Sequence, residues 1–191
     1  MILQLFLGLI IFIVGFFILL LVIAAMDTNS NGIFVQERVG QHGKIFRIYK
    51  FRTLHRVTGR ISFFGAWIRK YKLDELPQLW NLLKGDMVLV GPRPDIPGYA
   101  DQLQGEFRMI LQCKPGLTGL ASLKYRNEGA ILADKPNPKL YNDEVIWPDK
   151  TKINLWYVNN QSFILDVQIL FLTFFSFNVD VKSWVDKKVN S

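Results

Sequence analysis

The chain of 191 residues has one cysteine, Cys113, no proline before Pro77 and no ionisable side chain before Asp27. A lone cysteine cannot close an internal disulfide, which excludes a cross-linked secreted scaffold and agrees with a reducing compartment. The uncharged stretch Ile2 to Met26 covers 25 positions, and as a helix of about 37 Å, at ~1.5 Å per residue, it is long enough to cross bilayer hydrocarbon. Residues 1–26 are therefore expected to form a membrane helix. A signal peptide fits poorly, because no basic leading region precedes the apolar part, that part is too long, and no small-residue cleavage site follows in a secretory context. Acid is scarce as well: from Arg38 to Leu73 there are ten Lys or Arg and no Asp or Glu.

The net charge of +7 falls entirely on the residues after the apolar segment. Arg38, Lys44, Arg47, Lys50 and Arg52 follow that segment closely, which by the positive-inside rule places the bulk of the chain in the cytoplasm. A basic soluble part seeks anions: nucleic acid, anionic lipid or a phosphorylated substrate. No zinc-finger, RRM, KH or helix-turn-helix pattern is present, so no nucleic-acid partner is expected and the membrane segment favours the other two.

The basic run closes on Leu73-Asp74-Glu75-Leu76-Pro77-Gln78-Leu79-Trp80. Proline is tolerated only in the first turn of a helix, and Leu76, Leu79, Trp80 and Leu83 then recur at helical spacing before Gly85. Asp74 and Glu75 thus stand where a helix begins, where unpaired N–H groups and a partial positive charge favour anions and ionised carboxylates. A carboxylate there serves as a nucleophile toward phosphorus, as a Mg²⁺ ligand, or simply as a helix cap.

Along the chain, Asp27 to Gly32 is a polar turn; Ile33–Gln36 and Ile45–Phe51 are strand-like and joined through Gly40-Gln41-His42-Gly43 as a hairpin. Phe63 to Lys72 has an aromatic body and a cationic end, suited to a lipid interface or to a core-facing helix with a solvated tail. Gly91-Pro92-Arg93-Pro94 presents a guanidinium on a rigid extended turn, for phosphate or for a structural ion pair. Pro97 to Gln112 is expected to be helical. The glycines of Lys114-Pro115-Gly116-Leu117-Thr118-Gly119 let backbone approach a ligand or make a turn. Residues Tyr125 to Lys152 should be short helices and loops forming substrate-facing surface. Phe163 to Phe177 is apolar but too short to span, hence interfacial, and Asp166 within it needs a partner. The segment from Lys182 onward is expected to fray.

Together, Val35-Gln36-Glu37-Arg38-Val39-Gly40, Tyr49-Lys50-Phe51-Arg52-Thr53, Leu73 to Asn81, Lys84-Gly85-Asp86-Met87, Val90-Gly91-Pro92-Arg93-Pro94 and Lys114 to Gly119 resemble, in order, the small bacterial sugar transferases, or monotopic phosphoglycosyl transferases. The resemblance implies transfer of a sugar 1-phosphate from a UDP-sugar to undecaprenyl phosphate, releasing UMP, as a first membrane step of capsule, exopolysaccharide, O-antigen or protein glycan synthesis. It makes Asp74 the nucleophile and a ligand of the cofactor Mg²⁺, and Glu75 its helper. Lys50, Arg69, Arg93 and Arg126 fall on phosphate-binding positions, and Asp166 on a supporting one. Fixed cations there would stabilise the charge that develops in transfer.

The implied architecture is α+β: a membrane helix over 1–26, re-entrant and kinked, a small cytoplasmic α/β catalytic domain over 27–180 with interfacial amphipathic helices, and a polar tail over 181–191. The family helix is usually broken by a Ser-Pro pair, whereas the matching place here is Gly15-Phe16, and glycine permits a kink without forcing one. A bacterial inner-membrane location, contact with membrane lipids and a homodimer within the membrane complete these expectations.

Overall fold

The computed structural model describes residues 2–175 and 179–190, with side chains from residue 12 onward. The fold is α+β and divides into two compact units, Met1–Gln36 with Arg47–Leu83, and Glu37–Phe46 with Lys84–Ser191.

In the first unit, α1 (Ile2–Thr28) runs through Gly15 and Phe16 without interruption. The break expected there is absent, since no proline removes a ladder hydrogen bond. The helix also outlasts its expected end at Met26: Thr28 Oγ1 donates to Ala24 O at 2.6 Å, and the Ser62 hydroxyl donates to the Asp27 carboxylate. Among the described residues, no helix is long and apolar enough to cross a membrane.

β1 (Ile33–Val39) and β2 (Ile45–Phe51) pair as the expected hairpin. Its base lies in the first unit, where Arg52 N donates to Gly32 O at 2.7 Å. There α1 and β2 share a small core with α2 (Phe63–Lys70): Leu20, Ala24, Phe51 and Ile68 are buried, with Phe17, Leu21, Ile33, Phe64, Leu73 and Leu76 against them. Ser62 caps α2 through Gly65 N, 2.8 Å away. One face of α2 enters this core while Phe63 and Trp67 stay exposed. A 3₁₀ turn, Leu73–Gln78, contains Pro77 and leads into the single α-turn α3 (Leu79–Leu83).

In the second unit, β3 (Val88–Val90) runs parallel to β4 (Gly116–Thr118), pairing Val88 with Gly116 and Val90 with Thr118. The intervening segment, expected to be helical over 97–112, is helical as two 3₁₀ stretches, Ala100–Gln102 and Gly105–Gln112. Leu103 is extended between them and Gly105 takes φ +58°, so no α-helical ladder passes through.

α4 (Leu120–Lys124), α5 (Glu128–Ala133) and α6 (Pro138–Tyr141) precede a π-helical turn, Asn142–Ile146, that continues into α7 (Trp147–Asn160). α8 (Phe163–Phe175) and α9 (Val181–Val189) complete the unit. The last positions of the expected Phe163 to Phe177 run lie outside the described residues. Val90, Leu120, Leu123, Ile153, Tyr157, Leu165, Ile169 and Val185 form its core.

The frayed tail is thus a helix. Val181, Trp184, Val185 and Val189 return to one face at i, i+3, i+4 and i+8, and Lys124 Nζ clamps α9 through Asp186 at 2.6 Å and α7 through Asp149 at 2.7 Å.

Glycines 91, 116 and 119 meet in a close crossing of backbone. A Cβ on Gly116 would lie 2.2 Å from Gly91 N, and one on Gly119 would lie 2.1 Å from Gly91 O. Only bare backbone fits this crossing, and it fixes the start of the turn that carries Arg93.

Candidate active site

The acidic pair sits in the first unit, in the 3₁₀ turn Leu73–Gln78. Lys72 enters that turn in the left-handed region at φ +58°, and Glu75 N donates to Lys72 O at 3.2 Å. Leu73 and Leu76, on either side of the pair, insert into the α1–β2–α2 core. The core therefore grips the turn and leaves the two carboxylates to face the cations.

Lys50 Nζ, from β2, meets Glu75 Oε1 at 3.0 Å, with side chains only 17% and 11% exposed. At that burial the pair is held by more than a surface contact. Arg69, from the last turn of α2, is oriented by Thr53, donating Nε to Thr53 Oγ1 at 2.7 Å. Burial pushes the Asp74 carboxyl above the usual carboxylate range and the neighbouring Glu75 charge adds to this, while Lys50, Lys72 and Arg69 oppose both. Asp74 Oδ1 is buried and, among the described residues, has no hydrogen-bond partner.

Lys50, Arg69, Asp74 and Glu75 are thus gathered in one cluster. The structure adds two residues that sequence reasoning missed, the buried Thr53 and Gln78. The only signal for them was a polar side chain among apolar ones, and burial of a polar group cannot be read from one sequence.

The remaining candidates belong to the second unit. Arg93 Nη1 reaches Leu117 O at 3.5 Å, and Arg126 Nη2 donates to Thr173 O. The hydroxyls of Thr118 and Thr173 are 2.9 Å apart, so the two arginines flank the contact of β4 with α8. Asp166 accepts the Tyr157 hydroxyl proton at 2.7 Å; that partner, rather than an arginine or a lysine, answers the need for a partner in an apolar helix. Asp95, next to Pro94, is driven up to about 6 by burial and by Glu128, against the pull of Lys150, Arg38 and Arg93. Its backbone O accepts from Val39 N at 2.9 Å, and Arg38 Nη1 donates to Pro94 O at 3.2 Å, which ties the proline turn to β1.

Among the described residues, no three His, Cys, Asp or Glu side chains converge to hold a metal by protein ligands alone. Mg²⁺ does not require such a cage, since it takes one or two carboxylates and completes its shell with water and substrate phosphate oxygens. The adjacent carboxylates of Asp74 and Glu75 are oxygen ligands of the kind a hard cation takes.

Lysine and arginine beside a carboxylate pair supply fixed positive charge of the kind that pairs with phosphate oxygens. The chain matches the bacterial sugar transferase family over residues 1–179, and it belongs to that family. It is 38% identical over 161 residues to EpsL, an uncharacterized sugar transferase of Bacillus subtilis (strain 168), covering 79% of this chain and 72% of that protein. It is 33% identical over 175 residues to the undecaprenyl-phosphate galactose phosphotransferase of Salmonella typhimurium (strain LT2), covering 76% of this chain and 33% of that protein. With the undecaprenyl-phosphate glucose phosphotransferase of Komagataeibacter xylinus it shares 30% identity over 177 residues, 82% of this chain and 31% of that protein. The chain spans about a third of the length of these last two relatives.

Proposed function

We propose that this chain transfers a sugar 1-phosphate from a UDP-sugar to undecaprenyl phosphate through a covalent intermediate on Asp74. The observation that carries the reading is the Asp74–Glu75 pair itself, with a buried carboxylate oxygen that has no partner among the described residues and with Lys50, Lys72 and Arg69 in its field.

An Asp74 oxygen attacks the β-phosphorus of the donor; the bond from that phosphorus to the bridging oxygen breaks, and its electron pair leaves with UMP. An oxygen of the lipid phosphate then attacks the same phosphorus. The bond to Asp74 breaks, the free carboxylate returns, and a lipid diphosphate sugar is formed. Burial makes Asp74 more basic and hence a better nucleophile, and the surrounding cations oppose part of that rise. Glu75, fixed by Lys50, is placed to take up and return a proton during the second attack. Arg69, oriented by Thr53, contributes fixed charge toward the phosphoryl oxygens. Arg93 and Arg126 are assigned to substrate phosphate, and Asp166 to a supporting role through Tyr157. Mg²⁺, held by Asp74, would neutralise diphosphate charge when bound.

A soluble donor and a lipid acceptor meet only at a membrane surface. Phe163, Ile164, Val167, Phe171, Phe174 and Phe175 expose one face of α8, while Leu165, Ile169 and Leu172 are buried on the other. That face, with exposed Phe63 and Trp67 on α2, supports an interfacial position. We assign α1 as the membrane anchor, with the catalytic part on the cytoplasmic face of the bacterial inner membrane.

The test is a transfer assay with purified protein, undecaprenyl phosphate, Mg²⁺ and a panel of UDP-sugars, following UMP release. Wild type should turn over at least one donor, EDTA should stop it, and Asp74→Asn should be inactive while remaining membrane-bound. Undiminished turnover by Asp74→Asn would refute the nucleophile assignment.

A further inference from the structure

Two polar atoms of the turn Leu73–Gln78 are buried without a hydrogen bond among the described residues: Oδ1 of Asp74, an acceptor, and Nε2 of Gln78, a donor. Gln78 is only 2% exposed, so solvent does not satisfy its amide. Leaving a buried donor or acceptor unmade is costly, and native proteins keep few of them. An unmet donor and an unmet acceptor four positions apart, in one rigid turn beside a reacting carboxylate, are complementary in chemistry as well as close in sequence.

Local geometry sharpens the point. Glu75 Oε1 takes Lys50 Nζ at 3.0 Å, and Arg69 Nε is committed to Thr53 Oγ1. The cations of the cluster thus have fixed partners for these atoms, while the amide of Gln78 does not. Leu73 and Leu76 pack against the core and hold the turn that carries both side chains.

We propose that Gln78 is a positioning residue: its amide N–H donates to Asp74 Oδ1 in the working enzyme, fixing the carboxylate plane so that the other oxygen faces phosphorus. The proposal rests on the reading of Asp74 as the nucleophile. It assigns Gln78 no contact with the sugar or the uridine. Its loss therefore slows the chemical step and leaves donor binding alone.

The experiment uses the full-length protein in detergent or nanodiscs, with the UDP-sugar that wild type turns over and with undecaprenyl phosphate. Gln78→Met keeps the side-chain length and removes the donor; Gln78→Asn keeps the amide but withdraws it by one methylene. For both, kcat should fall about tenfold or more, while the KM for the UDP-sugar stays within about twofold, a split that marks an interaction made in the transition state. Gln78→Met should also melt at or above the wild-type temperature, because a buried unmet donor has been removed.

A wild-type kcat in Gln78→Met overturns the proposal. So does a variant that unfolds or melts well below wild type, since the amide then serves the fold. Asp74→Asn, run alongside, separates the two assignments. If it is inactive while Gln78→Met is unimpaired, only the role of Gln78 fails; if it retains turnover, the nucleophile reading fails first.

Discussion

Replacing Asp95 with asparagine removes an ionisable group that folding makes harder to ionise. Burial is the main cause, Glu128 adds to it, and Lys150, Arg38 and Arg93 offset part of it, leaving the carboxyl raised to about 6. Because the folded value lies above the unfolded one, the fold favours the protonated form. Below about pH 4 both states hold the proton and Asp95 costs nothing. Between about pH 4 and 6 the unfolded chain releases its proton while the folded chain retains it, and stability falls; above that window the cost is complete, about 3 kcal/mol.

Asparagine imitates the protonated carboxyl and does not titrate. Asp95→Asn should therefore stabilise the protein by up to about 3 kcal/mol at pH 7.5 and change little near pH 4. With roughly 2–4 °C per kcal/mol for a chain of this size, the melting temperature at pH 7.5 should rise by about 6–12 °C. Differential scanning fluorimetry of both proteins in one detergent, from pH 4 to 7.5, measures the gap. An equal gain at every pH, or a lower melting temperature at pH 7.5, would refute the reasoning, the latter by showing that Lys150, Arg38 and Arg93 need the Asp95 charge more than burial penalises it.

Gly119→Ala should destabilise the second unit by about 1–3 kcal/mol or more, because its Cβ meets backbone at 2.1 Å. Gly129→Ala in α5, where nothing lies within 4 Å, should be neutral or stabilise by a few tenths to about 1 kcal/mol; chemical denaturation distinguishes the two. Lys50→Met removes the ion-pair partner of the largely buried Glu75 carboxylate, and the loss should reach about 1–3 kcal/mol, with turnover down about a hundredfold or more. Parallel melting and UMP-release measurements would expose a merely structural lysine as stability lost with activity kept in the folded fraction.

Much of the fold was legible where one pattern acts alone. The uncharged Ile2 to Met26 run reads as helix by composition, and α1 is that helix. Alternation around Gly40 to Gly43 gives the hairpin, and Pro77 places the acidic pair in the first turn of a short helical segment. The helical expectation over residues 97–112 holds as two 3₁₀ stretches and not as one helix, because the extended Leu103 and the left-handed Gly105 divide them. The segment from Lys182, expected to fray, is helical because an apolar stripe among its lysines buries Val185.

Within the candidate site, Lys50, Arg69, Asp74 and Glu75 could be gathered from motif resemblance and charge, and the structure sets them together. Thr53 and Gln78 could not, because what distinguishes them is the burial of a polar side chain, a property of tertiary packing. Asp166 was marked as needing a partner, but nothing in the chain identified Tyr157, nine residues away across the turn between α7 and α8.

The central claim is that Asp74 carries the phosphosugar. Intact-protein mass spectrometry, with Mg²⁺ and a panel of UDP-sugars but no lipid acceptor, tests it most directly. Wild type should gain the mass of one phosphosugar with one donor, the gain should be absent in Asp74→Asn, and it should disappear when undecaprenyl phosphate is added. UMP release on adding the lipid, with no adduct on the protein at any time before it, would contradict the claim and mean that the lipid phosphate attacks the donor directly.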